Sequence, residues 1–261
     1  MQFSVGIASL IAFILILGAE RLWPASRNQR SEWVNNSAAF GLMIMSHFVL
    51  AAFWPAAETA LVNRLGGGLL DLRTLPWIAG ALIYLIAMDL GEYLFHRAQH
   101  RIPALWAMHS LHHSDRGLNV LTAQRHFWFE PMIKTVSIWL AVALIFKADA
   151  SILAFYAAVS VYHLVTHANL RVGFGPLAWL LNSPQYHRLH HSREKEDFNT
   201  NFASLLPIFD VISMSYRRPL PGEFPETGLD DALQNETDLV LWPVRVPLRR
   251  LLRPFRPGPA Q

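Results

Sequence analysis

Ten of the twelve histidines in this 261-residue chain fall into four tight clusters, and any fold it adopts has to bring those four stretches into register. They are His96 and His100 in HRAQH, His109, His112 and His113 in HSLHH, His163 and His167 in HLVTH, and His187, His190 and His191 in HRLHH. At this histidine frequency, one HxxHH has a chance expectation of about 0.025, so two by accident are rare. Positions i, i+3 and i+4 share one helical face about 5–6 Å apart at Cβ, which lets neighbouring imidazoles converge on one ion. A single catalytic ion uses three or four protein ligands; ten imidazoles match two ions. His47 stands alone in an apolar run, where a bonded or pocket-lining ring is expected. His126 lacks a partner at helical spacing and reads as structural, or as a support for the ligands.

The chain contains no cysteine, which excludes disulfides, iron–sulfur clusters and thiolate catalysis, so a metal must be held by nitrogen and oxygen. Imidazole suits zinc, copper, nickel and iron alike. No histidine is followed directly by glutamate, as hydrolytic HExxH sites require, and no cluster contains the ExxH pair of soluble di-iron bundles. An all-nitrogen dinuclear site at a membrane face fits oxygen activation better. A membrane metal- or haem-binding electron-transfer protein, a zinc hydrolase and a transporter are the alternatives; haem uses only one or two axial histidines, which leaves most of the rings unexplained.

Hydrophobic residues make up 52% of the chain, above the usual share of a soluble domain. Although the net charge is +3, the basic residues gather at the ends of apolar runs, which argues for membrane flanks and against nucleic acid. The runs are Phe3 to Gly18, Ala38 to Val62, Leu75 to Phe95, Pro131 to Phe146 and Ile152 to Val165. They predict an all-α, multi-pass bundle of four or five membrane helices, the last two forming a short hairpin that need not cross fully. A signal peptide is the weaker reading of the first run. Arg21, Arg27 and Arg30 place the first loop in the cytoplasm, and counting onward puts every histidine cluster on that side. The expected organisation is one integral membrane domain over 1–261. Membrane helices and the first histidine boxes occupy about 3–170, and a cytoplasmic helical cap and tail with the last box occupy about 171–261.

Asp89 and Glu92 precede His96 by two turns and one turn, so either could accept a ring N–H, as could Asn169 and Asp210. Asn169 and Asp210, with Asp197, Asn199 and Asn201, read more readily as turn and cap residues.

The segments DLGEYLFHRAQH, MHSLHHS and YHRLHHSREKEDFNTNFASLLPIFDVISMSYRRP resemble the fatty acid hydroxylase and sterol desaturase superfamily, over about Asp89 to Arg218. The resemblance implies a di-iron centre held by the ten clustered histidines and capped over a small membrane bundle. It implies oxygen-dependent hydroxylation or desaturation at a C–H bond of a lipid such as a sterol, fatty acyl or ether lipid. The setting would be a bacterial inner membrane or its equivalent. No nucleotide-binding, cytochrome or ferredoxin segment is evident, so electrons would come from a separate reductase, ferredoxin or cytochrome-type donor. Tyr93, Trp128, Phe129, Phe155, Tyr156 and Tyr162 are candidates to shape the pocket, with helix packing and the interfacial belt the expected role of most. Two departures stand out. Where bacterial relatives carry RxHPxE, this chain has Arg125, His126, Phe127, Trp128, Phe129 and Glu130, and the tryptophan and glycine around the aromatic-Asp turn are replaced by Phe209 and Met214.

Overall fold

Apolar runs of this length cannot leave backbone N–H and C=O groups unpaired in lipid, so they form helices. The computed structural model describes residues 2–27 and 33–229, which are mostly helical. The first three rods are α1 (Gln2–Leu22), α2 (Trp33–Arg64) and α3 (Trp77–Arg101). A short α4 (Pro103–His113) follows. The fourth rod joins α5 (Glu130–Lys134), a π-helical turn at Thr135–Trp139 and α6 (Leu140–Ile145). The fifth is α7 (Ala150–Ser160) with α8 (His163–Thr166), and α9 (Pro184–His190) and α10 (Ile208–Ile212) lie in the polar C-terminal region.

The rods alternate in direction. Near the end of α1, Glu20 accepts from the backbone N–H of Val120 and Asn169, while at the start of α2 Asn36 donates to Asp115, so these ends lie together. At the opposite end, β1 (Leu70–Asp71) pairs in parallel with β2 (Phe146–Lys147), in the register Leu70 with Phe146 and Asp71 with Lys147. Trp77 Nε1 donates to Ser151 Oγ there at 2.8 Å, so α3 and α7 start side by side and run the same way. Asp149 caps α7 by accepting from Ser151 N and Ile152 N.

Among the described residues, two helices are long and apolar enough to cross a membrane, Asn36–Arg64 and Trp77–Arg101, with Ala150–Thr166 apolar but shorter. That is fewer than the four or five expected. The stretch Glu130–Ile145 rises only about 24 Å at helical geometry, against ~30 Å of hydrocarbon. Ile14 and Leu15 of α1, Phe48 and Phe53 of α2, and Ile78 and Ile86 of α3 point outward. Inward, Leu72, Ala81, Tyr84, Met88, Ile138, Val142, Ile152 and Tyr156 form one core. At Gly91 a Cβ would meet Ile138 Cγ2 at 2.5 Å, so the absent side chain is what lets α3 approach the π turn.

The histidine end is already enclosed by chain that precedes residue 171. Residues 107–115 are all buried, and a buried network pins the chain that follows them. Arg125 donates to Leu111 O, Ser114 Oγ and Asn36 Oδ1, while Asp115 accepts from Asn36, Thr122 and Gly117 N. Buried charges persist only when satisfied in this way. The tail from 230 to 261 lies outside the described residues.

Candidate metal centre

Four helical pieces deliver the rings to one end of the bundle. The last turns of α3 present His96 and His100 one turn apart, and α4, started by Pro103 at its first position, presents His109, His112 and His113. His167 closes α8. Ser183 caps α9 by accepting from Tyr186 N, and His187, His190 and His191 follow from it.

Nine of the ten rings gather in two groups. His96, His100, His109, His113 and His190 form one, and His112, His167, His187 and His191 the other; within each group the candidate ligand atoms lie within 4.8 Å of one another. In the smaller group Nε2 atoms face one another, His167 to His112 at 3.1 Å, His187 to His167 at 2.9 Å and His191 to His187 at 3.2 Å. In the larger, His100 Nε2 lies 3.1 Å from His113 Nε2, and the Nε2 atoms of His96, His109 and His190 are buried without a partner. Two nitrogens each ~2.1 Å from one ion, at right angles, stand about 3 Å apart, so this spacing suits a pair of metal ions.

Burial, then the neighbouring rings, holds the imidazoles of His112, His113, His167, His187 and His191 well below the ordinary value, and His190 falls to about 3. Neutral rings keep a lone pair for a metal.

The outer nitrogens are anchored unevenly. His96 Nδ1 meets Phe202 O at 2.7 Å, His190 Nδ1 meets Thr200 O at 2.8 Å and His167 Nδ1 meets His163 O at 2.8 Å. His109 Nδ1 lies 3.3 Å from Glu130 Oε2, which also accepts from Gln99 at 2.6 Å and faces His126 Nδ1 at 3.3 Å. Burial pushes the Glu130 carboxyl up, but the contacts to His109 and His126 outweigh it and hold the group well below the usual carboxylate range.

The acids singled out by spacing act one step further away. Asp89 accepts from Leu205 N and Leu206 N at 2.9 Å each, not from a ring. Asp210 accepts from Phe202 N, Ala203 N, Tyr186 OH and Ser215 Oγ, and burial raises its carboxyl. Together they hold the loop whose Thr200 and Phe202 carbonyls meet His190 and His96. Glu92 is ion-paired with Lys134. Asn169 bonds Ser26 through its side chain and ties the end of α1 to the chain just after His167. Asn199 and Asn201 adopt left-handed backbone and Asp197 pairs with Arg217, which is turn chemistry.

His163 stands outside both groups: its Nε2 meets Gln124 Nε2 at 2.9 Å and its Nδ1 meets Ser160 O at 2.6 Å. His126 stacks on His112 with ring centroids 4.3 Å apart, and His47 bonds Met43 O within its own helix. Glu130 is the residue the sequence reading missed. Its signal was present, because Arg125 and Glu130 keep the outer positions of RxHPxE even though Phe127 replaces the histidine.

A cavity of about 340 Å³ adjoins the rings, with Met43, Leu85, Phe95, Trp139, Tyr156 and Val159 among its apolar walls. His96, His109, His112, His163, His167 and His187 reach it, as do His47, Glu92, Lys134 and Tyr162. Of the aromatic candidates, Tyr156 and Tyr162 line it; Tyr93, Trp128, Phe129 and Phe155 pack elsewhere.

Comparison with known proteins agrees with this geometry. The fatty acid hydroxylase family model matches residues 81–215. Alkylglycerol monooxygenase of Xenopus tropicalis is 32% identical over 142 residues, covering 53% of this chain and 31% of that protein. The Homo sapiens alkylglycerol monooxygenase is 31% identical over 145 residues, 54% of this chain and 32% of its own length. Ornithine lipid hydroxylase OlsE of Rhizobium tropici is 28% identical over 145 residues, 55% of this chain and 44% of that protein. The chain thus spans about a third of the length of the first of these relatives. No solved structure matches.

Proposed function

Because the chain belongs to the fatty acid hydroxylase family, we propose that it is a multi-pass membrane oxygenase that hydroxylates a lipid at a C–H bond, using two irons, molecular oxygen and electrons from a separate donor. The observation that carries this reading is the convergence of nine imidazoles from four stretches into a five-ring and a four-ring group beside one cavity. Bound there, two irons would supply the activation of oxygen. Imidazole ligation alone is shared by zinc and copper. The relatives tip the choice, since two of them are named as a monooxygenase and a hydroxylase.

The residues of the chain divide the work. His96, His100, His109, His113 and His190 would hold one ion, and His112, His167, His187 and His191 the other. Glu130 and the carbonyls of Thr200 and Phe202 fix which ring nitrogen faces inward, as acceptors of the outer N–H do at metal sites. Most of the rings are buried, and five of them also reach the cavity. The cavity would take the part of the lipid that reacts, with the rest of the chain trailing between the rods toward the bilayer. Lys134 and Glu92, one turn from Glu130 and His96 on the membrane side, line the cavity as an ion pair. Arg21, Arg97 and Arg101 lie at the histidine end, and in our reading, by the positive-inside rule, that end faces the cytoplasm.

The test is purification in detergent, elemental analysis, and incubation with reductant, oxygen and membrane lipids under mass-spectrometric detection. About two irons per chain and a product carrying oxygen from labelled O2 are expected. Equal turnover without oxygen or reductant would make the protein a hydrolase, and a Soret band in place of two irons would make it a haem carrier.

A further inference from the structure

Six large apolar side chains of the cap stand exposed in two short segments: Leu177, Trp179 and Leu180 in one, and Val211, Ile212 and Met214 around the end of α10 in the other. Ile212 is 73% exposed and Met214 92%. In a cap rising into water these would be an apolar liability.

Both segments are fastened at a defined level along α3. The Tyr93 ring lies 5.8 Å from that of Phe209, and its hydroxyl bonds Ser213 Oγ and, at 3.1 Å, Ser215 Oγ. Asn182 N donates to Leu205 O at 2.9 Å, the neighbouring N–H of Leu205 donates to Asp89, and Asn182 O accepts from Tyr162 OH at 2.7 Å. The two segments therefore sit beside the Asp89–Tyr93 turn of α3, whose neighbours Leu90 and Leu94 also face outward. From Trp77, at the far end, to Tyr93 is about 24 Å of helix, less than the ~30 Å of a hydrocarbon core. The arginines Arg97 and Arg101 come only one and two turns later. The exposed cap residues are thus level with the acyl boundary, not beyond it.

Two further details point the same way. Met214 holds a φ of 60°, a left-handed conformation that a glycine would adopt without penalty, so a long apolar side chain is displayed there at a backbone cost. Trp179 belongs to the residue type that settles at membrane interfaces, and two exposed arginines flank the segments in sequence, Arg171 six residues before Leu177 and Arg218 four after Met214.

We propose that the cap is wedged into the phospholipid leaflet, with the 177–180 segment and the α10 corner in the head-group and acyl boundary and Arg171 and Arg218 against lipid phosphates. This rests on the membrane part of the reading above and not on the oxygenase part. The occupant of the surface is the bilayer itself, because the patch continues the outward face of α3 at the same level.

The chain has no cysteine, so single cysteines can be labelled cleanly with a bimane fluorophore in the full chain, reconstituted into phosphatidylethanolamine and phosphatidylglycerol nanodiscs. Met214→Cys and Leu177→Cys are expected to lose at least half their emission when acyl-brominated lipid is included, and to resist aqueous iodide. Phe53→Cys on α2 is the hydrocarbon reference and Lys195→Cys the aqueous one, which should behave oppositely. The wedge is overturned if Met214→Cys and Leu177→Cys follow Lys195→Cys while Phe53→Cys is quenched by lipid. It is equally overturned if their emission is shifted to the blue without lipid quenching, which would mean a protein contact. Failure of Phe53→Cys itself would instead count against the membrane reading. Val211→Cys and Ile212→Cys repeat the measurement should a label at 214 disturb the turn.

Discussion

The five-ring and four-ring groups are made from the same side chain, yet the protein supports them differently. In the larger group His96, His109 and His190 each have an acceptor behind the ring, and two of the three acceptors come from a loop that Asp89 and Asp210 hold in place. In the smaller group only His167 has such an acceptor; the outer nitrogens of His112, His187 and His191 are buried without one. One group is a rigid cage with a ligand to spare. The other is a set of rings oriented by packing and by whatever ion they grip, and three of them, His112, His167 and His187, reach the cavity. If each group holds an ion as proposed, this difference would make the four-ring ion the more labile and the five-ring ion the better retained.

Removing single ligands is the strongest way to break that comparison. His187→Ala takes out the ring that meets both His167 and His191, leaving three ligands of which only His167 has an acceptor behind it. Iron should drop from about two to one per chain and turnover should fall by more than ~100-fold, beyond the effect of losing an outer partner. His113→Ala leaves four ligands, most of them supported, and should keep more of its iron by elemental analysis. Equal losses in the two variants would refute the asymmetry.

Glu130→Gln is next in size. It weakens the acceptor behind His109 without emptying the space, and should lower metal affinity in the five-ring group by about 10- to 100-fold, read by competition with a chelator. Asp89→Asn should act on the loop: leaving a buried backbone N–H poorly paired costs ~1–3 kcal/mol. Thermal unfolding in detergent should then show a Tm lower by roughly 2–12 °C, given ~2–4 °C per kcal/mol in a protein of this size. The smallest effect belongs to His163→Gln, which should leave iron content unchanged and cost less than ~10-fold in turnover. Loss of an iron in that variant would restore the ten-ligand reading.

Helical phase made most of this legible beforehand. HRAQH, HSLHH and HRLHH each lie on or at the end of one helix, so spacing alone brings their rings to one face. HLVTH spans a break in the helix: α7 ends at Ser160 and α8 begins afresh at His163, so the first ring of the pair turns back to Ser160 O and Gln124. The supports were harder to see. Thr200 and Phe202 act through carbonyls, which every residue carries and no motif encodes, and their placement depends on the left-handed turn at Asn201 and on two acids distant in sequence. The five apolar runs were visible from hydropathy, but not that the fourth would be interrupted by a π turn where α3 comes close at Gly91.

One rod, α3, carries both the outward leucines of the bilayer face and, without a break, His96 and His100. A membrane too thin or too thick for that rod is accommodated by tilt. His190 hangs from a different helix but is tied to α3 through the loop that Asp89 holds, so in the proposed oxygenase a tilt of α3 would be passed to the five-ring group, and acyl-chain length in the host membrane would be felt at the centre.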